Sequence, residues 1–197
     1  MSRNFLLAVL FLTGSLLSGR GQKFMLPEFT LNKAEADLYE MINDYRKEKG
    51  LEPVPLSRNL TYVAKLHSQD LAENFPYNKR CNLHSWSDHG PWTPCCYTDD
   101  HKKAPCMWYK PGELSNYPGY GYEIAYWTNE PLGPADYARK ALAGWKRSPG
   151  HNTVIVNLGR WKEKDWKAMG VGIYKGYATV WFGEEEDRES LIISNEQ

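Results

Sequence analysis

Two of the chain's five histidines stand where the fold could bring an imidazole into use. His84 lies in "NLHSWS", shortly after a cysteine, and His151 lies in "SPGHN", just past a Pro-Gly helix stop. Imidazole changes charge near neutral pH and is a common metal ligand, so a pair brought together could bind an ion or exchange protons. Glu123, in the apolar and aromatic run "GYEIAYW", adds a carboxylate that needs a buried partner. The other three histidines have simpler readings. His67 falls on an apolar helical stripe and reads as a core histidine with a satisfied hydrogen bond, while His89 in "SDHGP" and His101 in "DDHKK" read as solvated loop residues.

Ser85 beside His84, with Glu123 and His151, supplies the residue types for serine chemistry or for metal-assisted attack by water. The chain carries no G-x-S-x-G elbow and no H-E-x-x-H helix. Neighbours on an extended segment also point to opposite sides, which separates Ser85 from His84.

The elements that must position these groups are legible in the spacing. Leu31, Ala34, Leu38, Met41, Ile42 and Tyr45 recur at steps of three and four, which predicts an amphipathic helix. Asn32 and Glu35 form a capping box at its start, and Gly50 stops it. A second stripe, Leu60, Val63, Ala64, His67 and Leu71, follows a Ser57 cap. A third helix opens at Pro134, carries Tyr137, Ala138, Ala141, Leu142 and Trp145, and ends at Pro149 and Gly150. "AMGVGIYKGYATVWFG" reads as two strands joined at Lys175 and Gly176. Gly170 and Gly172 share one strand face, so another element can approach there closely.

At 197 residues the chain predicts one sizeable domain. Residues 1–22 read as a cleaved secretory leader: Arg3 precedes an apolar run from Phe5 to Leu17, too short to span a bilayer. Cleavage would remove two of the 24 basic side chains and none of the 24 acidic ones, a net charge of −2 that excludes nucleic acid as a partner. Residues 23–183 form the domain, and residues 184–197 read as a frayed acidic tail. Cys81, Cys95, Cys96 and Cys106 predict two disulfides in an exported chain, since no C-x-x-C pair suggests zinc. Joining the adjacent Cys95 and Cys96 would be strained, which leaves Cys81 to one of them and Cys106 to the other. The cysteines lie in an irregular, aromatic-rich segment from Asn74 to Gly133 that they would cross-link. "NLT" at Asn59 is a glycosylation sequon.

Taken in order, "LYEMINDYRKEKGLEPV", "LHS", "GYEIAYW", a helix ending in Trp145, "GHNT" and "MGVGIY" resemble the landmarks of the CAP superfamily, and "SPGH" is similar to its divergent bacterial-type members. The superfamily comprises cysteine-rich secretory proteins, antigen five and pathogenesis-related proteins. The resemblance implies an α+β fold, a three-layer α-β-α sandwich, with a cleft of two histidines and two glutamates. It carries the cleft onto His84, Glu123 and His151, with Tyr122 competing for the column of Glu123. The second glutamate falls on Ser148, three residues after Trp145, so a divalent metal such as zinc would rest on two imidazoles, Glu123 and water.

Three functions are consistent with this reading. The first is a secreted module that binds a lipid, glycan or protein, with Ser85, Trp145 and Ser148 near the ligand. The second is a hydrolase using the same cleft. The third takes His84, Glu123 and His151 as a purely structural network and assigns sugar or protein binding to an aromatic face between Trp86 and Trp127.

Overall fold

Helix α1 (Lys33–Glu48) begins where Asn32 and Glu35 each accept the other's backbone N–H, and the chain leaves it through Gly50 at φ +74°. A computed structural model describes residues 24–75 and 80–189; the expected leader and the last eight residues of the expected tail lie outside these. Glu35 does more than cap. Its buried carboxylate accepts from the Lys65 ammonium at 2.5 Å and from the Ile173 N–H at 3.1 Å, pinning α1 to helix α2 (Arg58–Asn74) and to strand β2 (Ala168–Tyr174).

Three antiparallel strands, β1 (Tyr122–Trp127), β2 and β3 (Tyr177–Gly183), form one sheet in the order β1-β3-β2. β2 and β3 join through Lys175 at φ 43° and Gly176 at φ 85°, the positive pair a two-residue hairpin favours. Strand alternation then gives the sheet two different faces. Tyr122, Ile124, Met169, Val171, Val180 and Phe182 pack against α1 and helix α5 (Pro134–Arg147). Ala168 and Trp181, with Gly170 and Gly172 on the same side of β2, meet α2. The result is the expected three-layer α-β-α sandwich. A β-carbon on Gly170 would lie 2.1 Å from the Leu60 carbonyl carbon, and one on Gly172 would lie 2.3 Å from that of Ala64, so both glycines are required by the close approach of α2.

The aromatic segment carries two short helices, α3 (Ala104–Trp108) and α4 (Lys110–Leu114), and its disulfides are Cys81–Cys96 and Cys95–Cys106. Each closes a loop of 15 or 11 residues, contributing roughly 3 kcal/mol by loop entropy. Trp86, Tyr97, Met107 and Tyr117 are buried in a second core, while Tyr109 and Tyr120 remain 55% and 48% exposed. Most of the aromatic run is therefore core rather than binding face.

Two sequence expectations are corrected here. The third helix does stop before Pro149, but Pro149 opens helix α6 (Pro149–Ile155), so His151 sits in a helical first turn. Proline favours that position because its missing N–H would have been unpaired anyway. The described part of the acidic tail is not frayed: the Asp187 carboxylate accepts from the Ser57 hydroxyl at 2.6 Å, the Asn59 N–H at 2.8 Å and the Asn59 side-chain amide at 2.8 Å. The same contacts take in Asn59 of the sequon, which is 1% exposed, with its amide nitrogen donating to Asp187 and its oxygen accepting from the Asn116 N–H.

Candidate functional site

Glu123 lies on β1 opposite Trp181 of β3, on the sheet face that α2 covers. Its carboxylate is wholly buried. One oxygen, Oε1, meets Nδ1 of His67 from α2, and the other accepts from Nδ1 of His84 at 2.8 Å. Nε2 of His67 donates to the Ser85 carbonyl at 2.9 Å, and the ring stacks on Trp86 with centroids 4.2 Å apart. A carbonyl can only accept, so His67 must carry a proton on Nε2. Its Nδ1 faces the Glu123 carboxylate, so both ring nitrogens are taken up inside the core. Burial alone would raise the Glu123 carboxyl, but the His67 and His84 imidazoles outweigh it and hold the group below the ordinary carboxylate value.

His84 is positioned by a tight turn. Its N–H donates to the Asn82 side chain at 3.1 Å, the Ser85 N–H donates to the Asn82 carbonyl at 3.0 Å, and its ring stands edge-on to Tyr97 at 5.2 Å. With Nδ1 spent on Glu123, Nε2 is the nitrogen His84 has for a ligand. His151 approaches from α6, its ring centroid 6.2 Å from that of His84. The three residues His84, Glu123 and His151 are thus brought together, with His67 as a fourth member. Both His67 and Glu123 were visible in the sequence as buried polar groups in need of partners, and pairing them was the step the local pattern did not supply.

Burial, reinforced by the neighbouring His84, lowers the His151 pKa to about 4, against an opposing effect of Glu123. Between pH 6.5 and about 4 the unfolded chain therefore binds a proton that folded His151 refuses, and stability should fall as pH falls through that window. An NMR titration should show the His151 ring neutral at pH 6, and a ring already charged there would contradict this.

The remaining sequence candidates are spent elsewhere. The Ser85 hydroxyl accepts from the Tyr97 N–H at 2.9 Å and is 1% exposed. Trp145 belongs to the core on the opposite face of the sheet and donates its indole N–H to the Ala125 carbonyl at 2.9 Å. Ser148 precedes α6, and its carbonyl accepts from the Asn152 N–H at 2.8 Å. None of these three lines the cleft, a 320 Å³ cavity walled by His84, His151, Tyr97, Met107, Trp108 and Trp161. Tyr122 also reaches it, while its ring packs against Trp108, Trp161 and Trp166. Besides Glu123 and Thr153, the lining includes the polar residues His101 and Arg160. His101, at φ 57°, shares a 3.0 Å hydrogen bond between its Nδ1 and the Tyr97 hydroxyl. Neither residue gave a signal in the sequence, because His101 reaches the cleft from a polar loop and Arg160 from a single 3₁₀ turn (Gly159–Trp161), neither long enough for a periodic pattern.

Among the described residues no group of three or more His, Cys, Asp or Glu side chains is arranged to hold a metal ion. Both Glu123 oxygens face imidazoles, so an ion in the cleft would have two ring nitrogens from His84 and His151 and otherwise water. That donor set does not fit a strongly held ion.

The sequence model of the cysteine-rich secretory protein family, CAP, matches residues 39–183. The chain belongs to this family. Among solved structures, this CAP chain is similar to an extracellular protein containing a SCP domain from Bacillus anthracis, with a TM-score of 0.53 and 18% identity over 77% of this chain and 40% of that one. It is also similar to an outer surface protein from Borrelia burgdorferi, with a TM-score of 0.53 and 17% identity over 82% of this chain and 100% of that one. A cysteine-rich secretory protein from Staphylococcus aureus aligns at a TM-score of 0.49 and 18% identity, over 77% of this chain and 38% of that one. This CAP chain therefore spans well under half of the Bacillus and Staphylococcus proteins and the full length of the Borrelia protein. At these identities the likeness concerns the fold alone. No relative was found among curated protein sequences. Among the described residues no helix of this CAP chain is long and apolar enough to cross a membrane.

Proposed function

We propose that this CAP domain is an exported binding module whose cleft receives an extracellular lipid, glycan or protein group, and that the His67–Glu123–His84 network shapes the cleft instead of turning over a substrate. The observation that carries this reading is the commitment of the carboxylate and the serine that serine chemistry would need. Glu123 is saturated by two imidazoles, and the Ser85 hydroxyl is buried against the Tyr97 backbone. A buried, fully partnered polar network fixes the relative positions of the elements that carry it. Here it ties α2, the His84 turn and β1 together behind the cavity. Two disulfides and the leader expected over residues 1–22 support export.

The mature chain and its His151→Ala variant, assayed side by side on p-nitrophenyl acetate and on labelled casein, test the reading. The expected result is no hydrolysis by the mature chain beyond that of the variant. Turnover that disappears with His151 would overturn the proposal in favour of a hydrolase.

A further inference from the structure

We infer that the cleft selects an organic anion with a short apolar tail, its carboxylate or phosphate head paired with Arg160 at the rim beside His84 and His151. The inference rests on the binding reading above and names the class of ligand.

The charge inventory of the cavity carries the argument. Apart from its histidines, its lining has two ionisable side chains of fixed sign, Glu123 and Arg160. Glu123 is wholly buried behind His67 and His84 and has no oxygen left for a ligand. Arg160 makes no ion pair or hydrogen bond among the described residues, so it is the one unmatched charged residue lining this space. Its field reaches the cavity wall: burial raises the Tyr97 hydroxyl, and Arg160 opposes that rise. A cation entering the cleft would meet this positive charge with no free carboxylate to offset it. An anion would find a planar fork of donors that matches a carboxylate or phosphate in two parallel hydrogen bonds.

The walls set the rest of the ligand. Met107, Trp108, Val154 and Trp161 give the cavity apolar sides, which exclude water and strengthen the attraction of a charge at the rim. At 320 Å³ the space is at the small end of ligand pockets, enough for a ring or a short chain. An apolar tail lies against these walls while the head stays at the mouth, where Arg160 is solvent-exposed and free to adjust.

Isothermal titration of the mature chain with 4-phenylbutyrate, phenyl phosphate and the uncharged 4-phenyl-1-butanol tests this, alongside Arg160→Gln, whose exposed side chain can change without disturbing the core. The expected result is that at least one anion binds about tenfold or more tighter than the alcohol, and that the variant loses about tenfold in anion affinity with its melting temperature and alcohol affinity unchanged. Preference for phenyl phosphate assigns a phosphate head, and preference for 4-phenylbutyrate a carboxylate. Equal binding of the alcohol and the anions, unaffected by the variant, would overturn the anion assignment while leaving a binding module in place. Failure of all three probes to bind would overturn it as well, and so would zinc chloride binding tightly at His84 and His151. Hydrolysis that depends on His151 is the separate result that removes the binding reading itself.

Discussion

Glu123→Ala should cost the domain about 3–5 kcal/mol, while Glu123→Gln should cost about 1–2 kcal/mol. Alanine removes the acceptor of two imidazoles and leaves His67 as a buried group whose Nδ1 has no partner. Glutamine can replace the whole arrangement without charge. His67 keeps its Nε2 proton for the Ser85 carbonyl and accepts from the glutamine amide at Nδ1, while His84 donates from Nδ1 to the glutamine oxygen. The two variants therefore separate loss of hydrogen bonds from loss of charge. Urea denaturation at pH 7 reads the difference, and similar costs for both would show that the charge, not the bonding pattern, holds the network.

The pH dependence sharpens the same comparison. Folded Glu123 is held below its ordinary value, with burial opposing and the two imidazoles prevailing. As pH falls through the ordinary carboxylate range the unfolded chain takes up a proton before the folded one does, so the contribution of Glu123 is present above that range and lost below it. Glu123→Gln should abolish this acid loss and keep the part due to His151, which begins higher, near pH 6.5, and runs to about 4.

Gly170→Ala should cost about 3 kcal/mol, and Gly150→Ala should be neutral or stabilising by about 0.5 kcal/mol. The added β-carbon at Gly170 would sit 2.1 Å from the Leu60 carbonyl carbon and 2.3 Å from the Thr61 nitrogen. These are backbone atoms of α2, and α2 cannot slide away. The Ser57 N–H donates to the Met169 carbonyl at 2.8 Å, and the Met169 N–H donates to the Pro55 carbonyl at 2.8 Å, locking the start of the helix to β2. At Gly150 an added β-carbon meets nothing within 4 Å, and the residue lies within α6. Thermal denaturation of both variants checks the contrast. A Gly170→Ala protein as stable as the parent would mean that α2 and the sheet have slack the packing does not show.

What the sequence made legible is what depends on neighbours along the chain. The Asn32–Glu35 capping box, the Ser57 cap, the apolar stripes and the Lys175–Gly176 hairpin all form within a few residues, so their patterns are complete before the chain folds. Gly170 and Gly172 were legible for a related reason, since two glycines on one strand face announce a close approach without naming what approaches. The site was only half visible. His84 and His151 stood out by type and place, the family resemblance joined Glu123 to them, and the three are brought together, yet His67 was set aside as a core histidine, which it is, although its partner is the cleft's own carboxylate. Disulfide pairing stayed open because it depends on which way adjacent side chains face. The Trp86–Cys95 bridge decides it: Cys95 turns inward toward Cys106, and Cys96 turns the other way toward Cys81.

The contacts of Asp187 bear on where this domain ends. Likeness to the family runs out at Gly183, and a boundary drawn there would look natural from the sequence. The carboxylate that holds the first turn of α2 lies four residues further on, and it arrives on the same segment whose Glu185 carbonyl accepts from the Tyr117 hydroxyl at 2.7 Å. The helix that carries His67 is therefore completed by almost the last described part of the chain. During synthesis or export the cleft's supporting helix can gain its final cap only once Asp187, 130 residues beyond Ser57 and past all three strands, has emerged, so the site is completed as a whole.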